Sequence, residues 1–212
     1  LSRALDKTEK ETKEASKGFT LMDGILSNVF ANGISAATGK LTDFVGSLFE
    51  LGEATEEYRS MMAKVEGSAT SFGYSIDYAK SKYKEFYSYL GDDQMATNAI
   101  TNLLGLEVET KTLDKLVNGA IATWSAYGDS IPIEGLTESI NETIQVGKVT
   151  GGLADTLNWA SLSAGQWKYV LGKGSKAQRA FNKALKDGEA TEDAFSAALA
   201  ATTDKQERAN IV

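Results

Sequence analysis

The stretch that decides the fold is residues 83–106, YKEFYSYLGDDQMATNAITNLLGL. Aromatic side chains crowd the part before Gly91, and apolar side chains recur at helical spacing after it. Gly91 is expected to end a first helix, and Asp92 and Asp93 stand where they would cap a second one. Gly105 is the expected stop of that second helix. The stretch therefore predicts two short helices joined by a tight turn.

Similar signals continue on both sides of this stretch. A helix is expected to begin near Ser75, and another is expected over about residues 112–127. Residues 128–130 form a turn before Pro132, the chain's only proline, which suits the first turn of the next helix because its ring fixes φ. Thr150 is expected to open a further helix. The side chains that this helix should bury are Leu153, Leu157 and Trp159.

Two N-terminal capping signatures follow near the end of the sequence. Thr191 precedes Glu-Asp, and Thr203 begins the four-residue pattern of a capping box that ends at Gln206. Both predict a helix whose N-cap is the threonine.

Composition favours helices throughout. The 212 residues include one proline and twenty glycines, and Ala, Ser, Thr, Lys and Glu are abundant. Residues 1–17 are rich in charges of both signs at helical pairing distances, which is typical of a solvated helix. We predict an all-α fold, with a long amphipathic or coiled-coil helix over 1–73 followed by a compact bundle of shorter helices over 74–212.

The chain contains neither histidine nor cysteine. This excludes Ser-His-Asp and Cys-His catalysis and histidine-ligated metal chemistry. Acidic pairs at 56–57 and 92–93 could suggest a glycosidase, but adjacent residues at a helix start point in different directions, and capping explains the second pair. We therefore expect no enzyme, no catalytic residue, no cofactor and no metal site.

The charge balance bears on nucleic acids. The net charge is −7, and the 22 basic residues are scattered, whereas phosphate binding requires a concentrated positive surface. Aromatic residues at 72–89 alternate with Lys80, Lys82 and Lys84, so a platform for stacking single-stranded bases is one interpretation. Their helical spacing favours packing in a core or subunit interface instead, and we expect no specific nucleic-acid partner.

One heptad register runs through residues 34–72. Its alternating three- and four-residue spacing keeps a mostly apolar seam on one side of a helix. The seam is imperfect, because Thr55 is polar and Ala37 and Ala69 are small. Two interpretations stay open: a coiled coil between chains, and an amphipathic helix packed on its own chain. The seam residues of the coiled-coil hypothesis are Ile34, Leu41, Phe44, Leu48, Leu51, Tyr58, Met62, Val65 and Phe72.

An uncharged window lies inside this region, at residues 24–39. A bilayer-spanning helix needs about 20 mainly apolar residues, but this window is shorter and contains Asn28 and Asn32. Tight helix packing through its small residues is the favoured interpretation. Transient membrane insertion of residues 19–52 is the alternative.

Three phrases occur in a fixed order: GDDQMATNAI at 91–100, WSAYGDSIPIEGLTESINET at 124–143 and VTGGLADTLNW at 149–159. Together they resemble the helical region of bacteriophage tail tape measure proteins. The resemblance is strong over 58–160 and weak over 191–212, and residues 163–190 depart from the family's pattern. The residues that carry it include Asp92, Gln94, Tyr127, Gly128, Asp129, Pro132, Asn141 and Trp159.

This resemblance implies a virion structural protein that sets the length of the tail tube and occupies its lumen until the genome is ejected. It implies self-association, with a homotrimer as the first choice and a hexamer as the second, and contacts with the tail tube, the distal-tail or baseplate hub proteins and the tail assembly chaperones. The location it implies is the tube lumen or tail tip, after synthesis in the cytoplasm of the bacterial host. The chain would then be a fragment of a longer polypeptide.

Two other functions stay open. The same ejected protein could use residues 19–52 as a membrane-inserting, channel-forming segment that contacts the host membrane transiently. An unrelated cellular helical scaffold would share the composition and the heptads but would not share the ordered phrases.

Overall fold

The computed structural model describes residues 19–31 and 56–212, and all regular secondary structure in these ranges is helical. The prediction of an all-α fold is confirmed. A short 3-10 helix spans Gly128–Ser130. The α-helices in the described ranges are α1 (Leu21–Ala31), α2 (Glu56–Ser71), α3 (Ile76–Leu90), α4 (Asp93–Leu104), α5 (Thr110–Tyr127), α6 (Ile133–Val146), α7 (Gly151–Ala160), α8 (Ala164–Val170), α9 (Lys176–Lys186), α10 (Thr191–Ala200) and α11 (Lys205–Ile211).

The helix boundaries around residue 91 follow from local capping. The side chain of Ser75 accepts a hydrogen bond from the Tyr78 N–H at the start of α3. Gly91 ends α3 in the left-handed conformation, with φ of 65°, where a glycine carries no steric penalty. Asp92 then caps α4 by accepting from the Met95 N–H at 2.8 Å. The predicted helix–turn–helix over 75–105 is confirmed.

The core is centred on α4. This helix packs against α2, α3, α5 and α6. Apolar side chains from Leu21 to Val212 form one buried cluster around it, with Tyr83 and Phe86 among the largest that are fully enclosed. Burying a large apolar side chain contributes about 1.5–3 kcal/mol, so this cluster is the main source of stability.

Helices α9 and α10 form a hairpin at one end of the bundle and pack closely on each other. Three aromatic rings join the hairpin to α8: the Trp167 ring centroid lies 4.7 Å from that of Phe181 and 5.3 Å from that of Phe195. Residues 163–190, where the sequence departs from the tape measure pattern, therefore contribute helices to the same core.

Helix α1 also belongs to this core. It packs on α5, α7 and α8, and its Leu21, Met22 and Ile25 are almost completely buried. No helix among the described residues is both long and apolar enough to cross a bilayer. Residues 32–39 of the uncharged window, and 32–52 of the membrane hypothesis, lie outside the described part.

The C-terminal residues of the predicted seam lie on α2 and directly after it. Met62, Val65 and Ala69 are buried in the chain's own core, where α2 packs on α3 and α4. The Tyr58 ring makes an edge contact with Tyr83, at 6.4 Å between centroids, and Phe72 packs against the same cluster. In this arrangement Met62 and Val65 face their own chain, as expected for an amphipathic helix packed internally. The other seam residues (Ile34, Leu41, Phe44, Leu48 and Leu51) lie outside the described ranges.

This packing also bears on the boundary placed at residue 73. Helices α1 and α2, which precede it, share one buried cluster with the helices that follow it. The described parts of 1–73 and 74–212 therefore have a common core.

Three expectations were wrong in detail. Trp159 is 49% exposed, because the buried face of α7 is made by Leu153, Thr156, Leu157 and Ala160. The cap of α10 is Ala190, and Thr191 is the first helical residue. Asp204, one residue after Thr203, caps α11 by accepting from the Glu207 N–H at 3.0 Å. In both cases the cap is shifted by one residue from the threonine, to the residue before it at α10 and to the residue after it at α11.

Candidate interaction surface

The first two phrases meet along the contact between α4 and α6. The Asn98 side-chain amide donates to the Glu134 carboxylate at 2.6 Å. The Asn102 amide donates to the Thr137 hydroxyl at 3.2 Å, and Asn141 in turn donates to the Asn102 carbonyl oxygen. These polar side chains satisfy one another along the edge of an apolar contact and fix the relative register of the two helices.

The third phrase joins through α6 and α7. The hydroxyl of Ser139 accepts a hydrogen bond from the Leu153 N–H at 3.0 Å, deep in the core. Thr150 donates to Glu142 at 2.8 Å at the surface. The backbones of α6 and α7 are close at Gly152, where an added Cβ would be in van der Waals contact with the Leu136 Cα at 3.4 Å. The three phrases thus build one packed unit.

A partly exposed aromatic pair lies on the surface of this unit, with Trp159 exposed and Tyr127 half-buried. Tyr127 ends α5, and Gly128 follows with φ of 55° and ψ of −139°, a conformation that favours glycine. The Tyr127 ring contacts the Trp159 ring edge to face, with centroids 5.3 Å apart. Partial burial of Tyr127 raises its pKa. Two exposed acidic residues are close to this pair in the sequence: Asp129 follows Tyr127 by two residues, and Asp155 precedes Trp159 by four. We call these four residues the aromatic patch.

The remaining residues of the tape measure pattern have structural positions. Asp92 is the cap of α4, and Gln94 donates to Asn98 at 2.8 Å on the same helix. Pro132 is the last residue before α6, and Asn141 spans the α4–α6 contact. The structure therefore brings Tyr127 and Trp159 together, while Asp92 and Gln94 make hydrogen bonds at the surface of α4 and Asn141 makes one across the α4–α6 contact.

The aromatic residues of α3 are packed inward. Tyr83 is fully buried and donates to the Asp93 carboxylate, and both its burial and this hydrogen bond raise the Tyr83 pKa. Burial and a hydrogen bond to Asp114 likewise raise the Tyr78 pKa. These contacts are those of a core, as the helical spacing predicted, and differ from an open platform on which bases could stack.

The lysines that alternate with these aromatic residues include two with carboxylate partners. Lys80 pairs with Glu66 at 2.6 Å, and Lys82 pairs with Asp114 at 2.8 Å and Glu85 at 2.9 Å. Burial lowers the Lys82 pKa, but its two carboxylate partners outweigh that effect and raise it. The charge on Lys82 is thus neutralised within the chain.

The acidic pairs do not converge on a reactive centre. Asp92 caps a helix and Asp93 accepts from Tyr83, so the two carboxylates have separate structural partners. Glu56 and Glu57 are exposed in the first turn of α2. The described residues contain no cluster of acidic side chains arranged to hold a metal ion.

Sequence reasoning missed three members of the polar contact between α4 and α6: Asn98, Asn102 and Glu134. Their spacing carried a signal, since Asn98 and Asn102 are four residues apart and share one face of α4. Polar side chains in a row on one side of an otherwise apolar helix indicate a neighbouring helix with matching donors and acceptors.

Compared with family models, curated proteins and solved structures, the chain shows no match. The resemblance to tape measure proteins therefore rests on the ordered phrases alone.

Proposed function

We propose that this chain is part of a phage tail tape measure protein, a virion structural protein that occupies the tail tube and sets its length. The observation that carries the proposal is that the three phrases resembling the family meet in one packed unit. Asn98 of the first phrase binds Glu134 of the second, and Leu153 of the third binds Ser139 of the second. The residues that resemble the family are thus the ones that build this unit.

Within such a protein, the described helices fold compactly. The extended helix whose length would set the length of the tail lies elsewhere in the polypeptide. One continuous α-helix from residue 56 to 212 would extend about 235 Å. Instead consecutive helices pack on each other, α3 on α4, α5 on α6 and α6 on α7. We propose that this unit lies at one end or junction of the tape, and that copies of the chain associate side by side, as trimers first and hexamers second.

The aromatic patch is the surface that we assign to a tail partner, a tube or distal-tail protein. Exposed tryptophan and tyrosine side chains are enriched in binding hot spots, because they bury a large area at a small entropic cost. Asp129 and Asp155 favour a partner surface with basic side chains.

A deletion experiment tests the role of the unit. Removal of residues 75–212 from the parent reading frame is expected to block tail assembly, because a docking unit is lost. As the matched control, removal of the same number of residues from a rod-forming part is expected to shorten tails by about 1.5 Å per residue. Tail lengths are measured by negative-stain microscopy. Normal assembly with tails shortened in proportion after the 75–212 deletion would contradict the compact role.

A second experiment tests the proposal as a whole. Mass spectrometry of purified virions is expected to detect peptides from 56–212. The paired variants Trp159→Ala and Leu185→Ala separate the patch from general surface effects, because both side chains are exposed to a similar degree, 49% and 43%. We expect Trp159→Ala to reduce the yield of complete tails while Leu185→Ala does not. Virions that lack the chain would contradict the proposed function.

A further inference from the structure

Helix α1 occupies a groove that is shaped for it. The groove lies between α5, α7 and α8. At Gly119 of α5, an added Cβ would lie 2.5 Å from the Met22 Cβ, so the groove is deep enough for Met22 because this position lacks a side chain. At Gly24 of α1, the same test finds Leu162 Cδ2 at 2.7 Å. Glycine on both sides lets the helix lie close to its receptor.

Polar contacts specify this helix at its other end. The Asn28 amide donates to the Ala160 carbonyl oxygen at 2.7 Å, where α7 ends. Gln166 of α8 donates to the Asn28 side-chain oxygen at 2.7 Å and to the Ser27 hydroxyl at 2.8 Å. At the beginning of α1, the Met22 N–H donates to the Val212 carbonyl oxygen at 2.9 Å. The groove therefore recognises the sequence of α1 through shape and through directional hydrogen bonds.

We propose that this groove is also an interface between copies: the α1 of one chain docks in the groove of a second copy. Every contact described above would be identical, since the two helices have the same sequence. Residues 32–55 connect α1 to α2, and a chain of that length spans at most about 80 Å. Helix α1 packs on α5, α7 and α8, whereas α2 packs on α3 and α4. Helix α1 can therefore leave its groove without disturbing the packing of α2.

The concentration of chains decides between the two arrangements. A tethered segment has an effective concentration on the order of 1 mM for its own site, so exchange needs copies at a comparable local concentration. Chains held side by side in a tail, which rests on the proposed function, would provide it. The docking itself rests on the groove alone, and concentrated protein in solution suffices to test it.

Cysteine cross-linking gives a direct test, because the chain contains no cysteine. An added Cβ at Gly24 would lie 3.3 Å from Leu162 Cγ, so cysteines at 24 and 162 are within reach of a disulfide. Replacing Leu162 by cysteine also removes the Cδ2 atom that would obstruct residue 24. The double variant Gly24→Cys/Leu162→Cys at low micromolar concentration should form the bond within one chain, which verifies folding and geometry.

The exchange is measured by mixing two single variants of different mass, full-length Gly24→Cys and full-length Leu162→Cys, under oxidising conditions. We expect a disulfide-linked heterodimer whose yield rises more than tenfold between about 10 μM and about 1 mM. The matched control replaces Leu162→Cys by Val146→Cys, an exposed position on α6. A heterodimer yield equal to that control at 1 mM would overturn the proposal.

A measurement on the unsubstituted protein covers the case in which a cysteine variant fails to fold. Light scattering after size-exclusion chromatography should detect a dimer that grows with loading concentration. The variant Gly119→Val, which fills the space used by Met22, should abolish this dimer. A monomer at every concentration, or a dimer unaffected by Gly119→Val, would contradict the exchange, whereas the presence of the chain in purified virions tests the tail function separately.

Discussion

Helices α4 and α9 have similar lengths but are held in the molecule in different ways. Half of the twelve residues of α4 are buried, and four other helices surround it. By contrast, α9 buries only Ala177 and Phe181 among its eleven residues and packs mainly on α10. The first helix is therefore coupled to the whole core, whereas the second depends on one aromatic cluster. One continuous core can thus contain regions of unequal local stability.

The sharpest test of this difference is Phe181→Ala. Loss of this α9 ring from its contact with Trp167 is expected to cost about 3–5 kcal/mol, and the destabilisation should be confined to α9 and α10. Amide hydrogen exchange is the measurement: protection should fall over 176–200 and persist in α4. The exposed Leu185→Ala on the same helix is the control and should change little. Equal loss of protection in α4 would show that the two regions unfold together.

Leu103→Ala probes the other side of the comparison. Leu103 is completely buried in α4, so its truncation should lower the global free energy of unfolding by about 2–5 kcal/mol. Urea unfolding followed by circular dichroism measures the change. The matched control is Val146→Ala, because Val146 is 69% exposed on α6 and its truncation should fall within about 0.5 kcal/mol of zero. Loss of hydrogen-exchange protection in α4 alone, with the global free energy of unfolding unchanged, would mean that this helix is not coupled to the core.

Alkaline pH should weaken the core at Tyr83. In the folded state the Tyr83 pKa is raised above its ordinary value of 10.0 by burial and by the bond to Asp93. The resulting stability is fully present below about pH 10 and is lost as pH rises further, because the unfolded phenol ionises first. The free energy of unfolding should fall by up to about 1.4 kcal/mol per pH unit for this group.

Urea unfolding between pH 8 and 11 measures this effect. The variant Tyr83→Phe removes the ionisable group, so it should be less stable at pH 8 but lose less stability between pH 10 and 11. Identical slopes for the two proteins above pH 10 would contradict the assignment to Tyr83.

The smallest effects come from two helix caps of equivalent geometry. Asp92 caps α4 and Ser175 caps α9, each accepting a hydrogen bond from the N–H three residues on. Replacing either by alanine should cost about 1 kcal/mol. We expect the Asp92→Ala cost in global urea unfolding and the Ser175→Ala cost only in hydrogen exchange of α9. Asp92→Asn, which retains a capping oxygen, should restore most of the loss. Equal global costs for the two alanine variants would remove the distinction between the regions.

Much of the fold between residues 75 and 160 was predictable, because helix ends depend on local chemistry. Ser75, Gly91 and Asp92 act through hydrogen bonds and backbone conformations within a few residues. The same reasoning was misaligned by one residue at α10 and α11, where a neighbouring residue took the cap position. Adjacent candidates for a cap differ little in energy, and tertiary packing decides between them.

The burial of particular faces was less predictable. The pattern placed Trp159 inside with Leu157, but residues two positions apart lie on nearly opposite sides of a helix, and Trp159 faces outward. Tyr127 and Trp159 are 32 positions apart in the sequence, so their contact follows from the packing of α5 and α7 and leaves no local signal. Similarly, the spacing of Met62 and Val65 fits a seam between chains and a core within one chain equally well.

The positions of two tryptophans give the molecule built-in optical reporters. The indole of Trp159 is open to solvent, while that of Trp167 lies beneath the hairpin. A dissolved quencher would reach the first directly and the second only when α9 and α10 open. With the third tryptophan, Trp124, replaced by phenylalanine, intrinsic emission can therefore distinguish a partner that covers the outer ring from a disturbance that lifts the hairpin, with no dye attached to the protein.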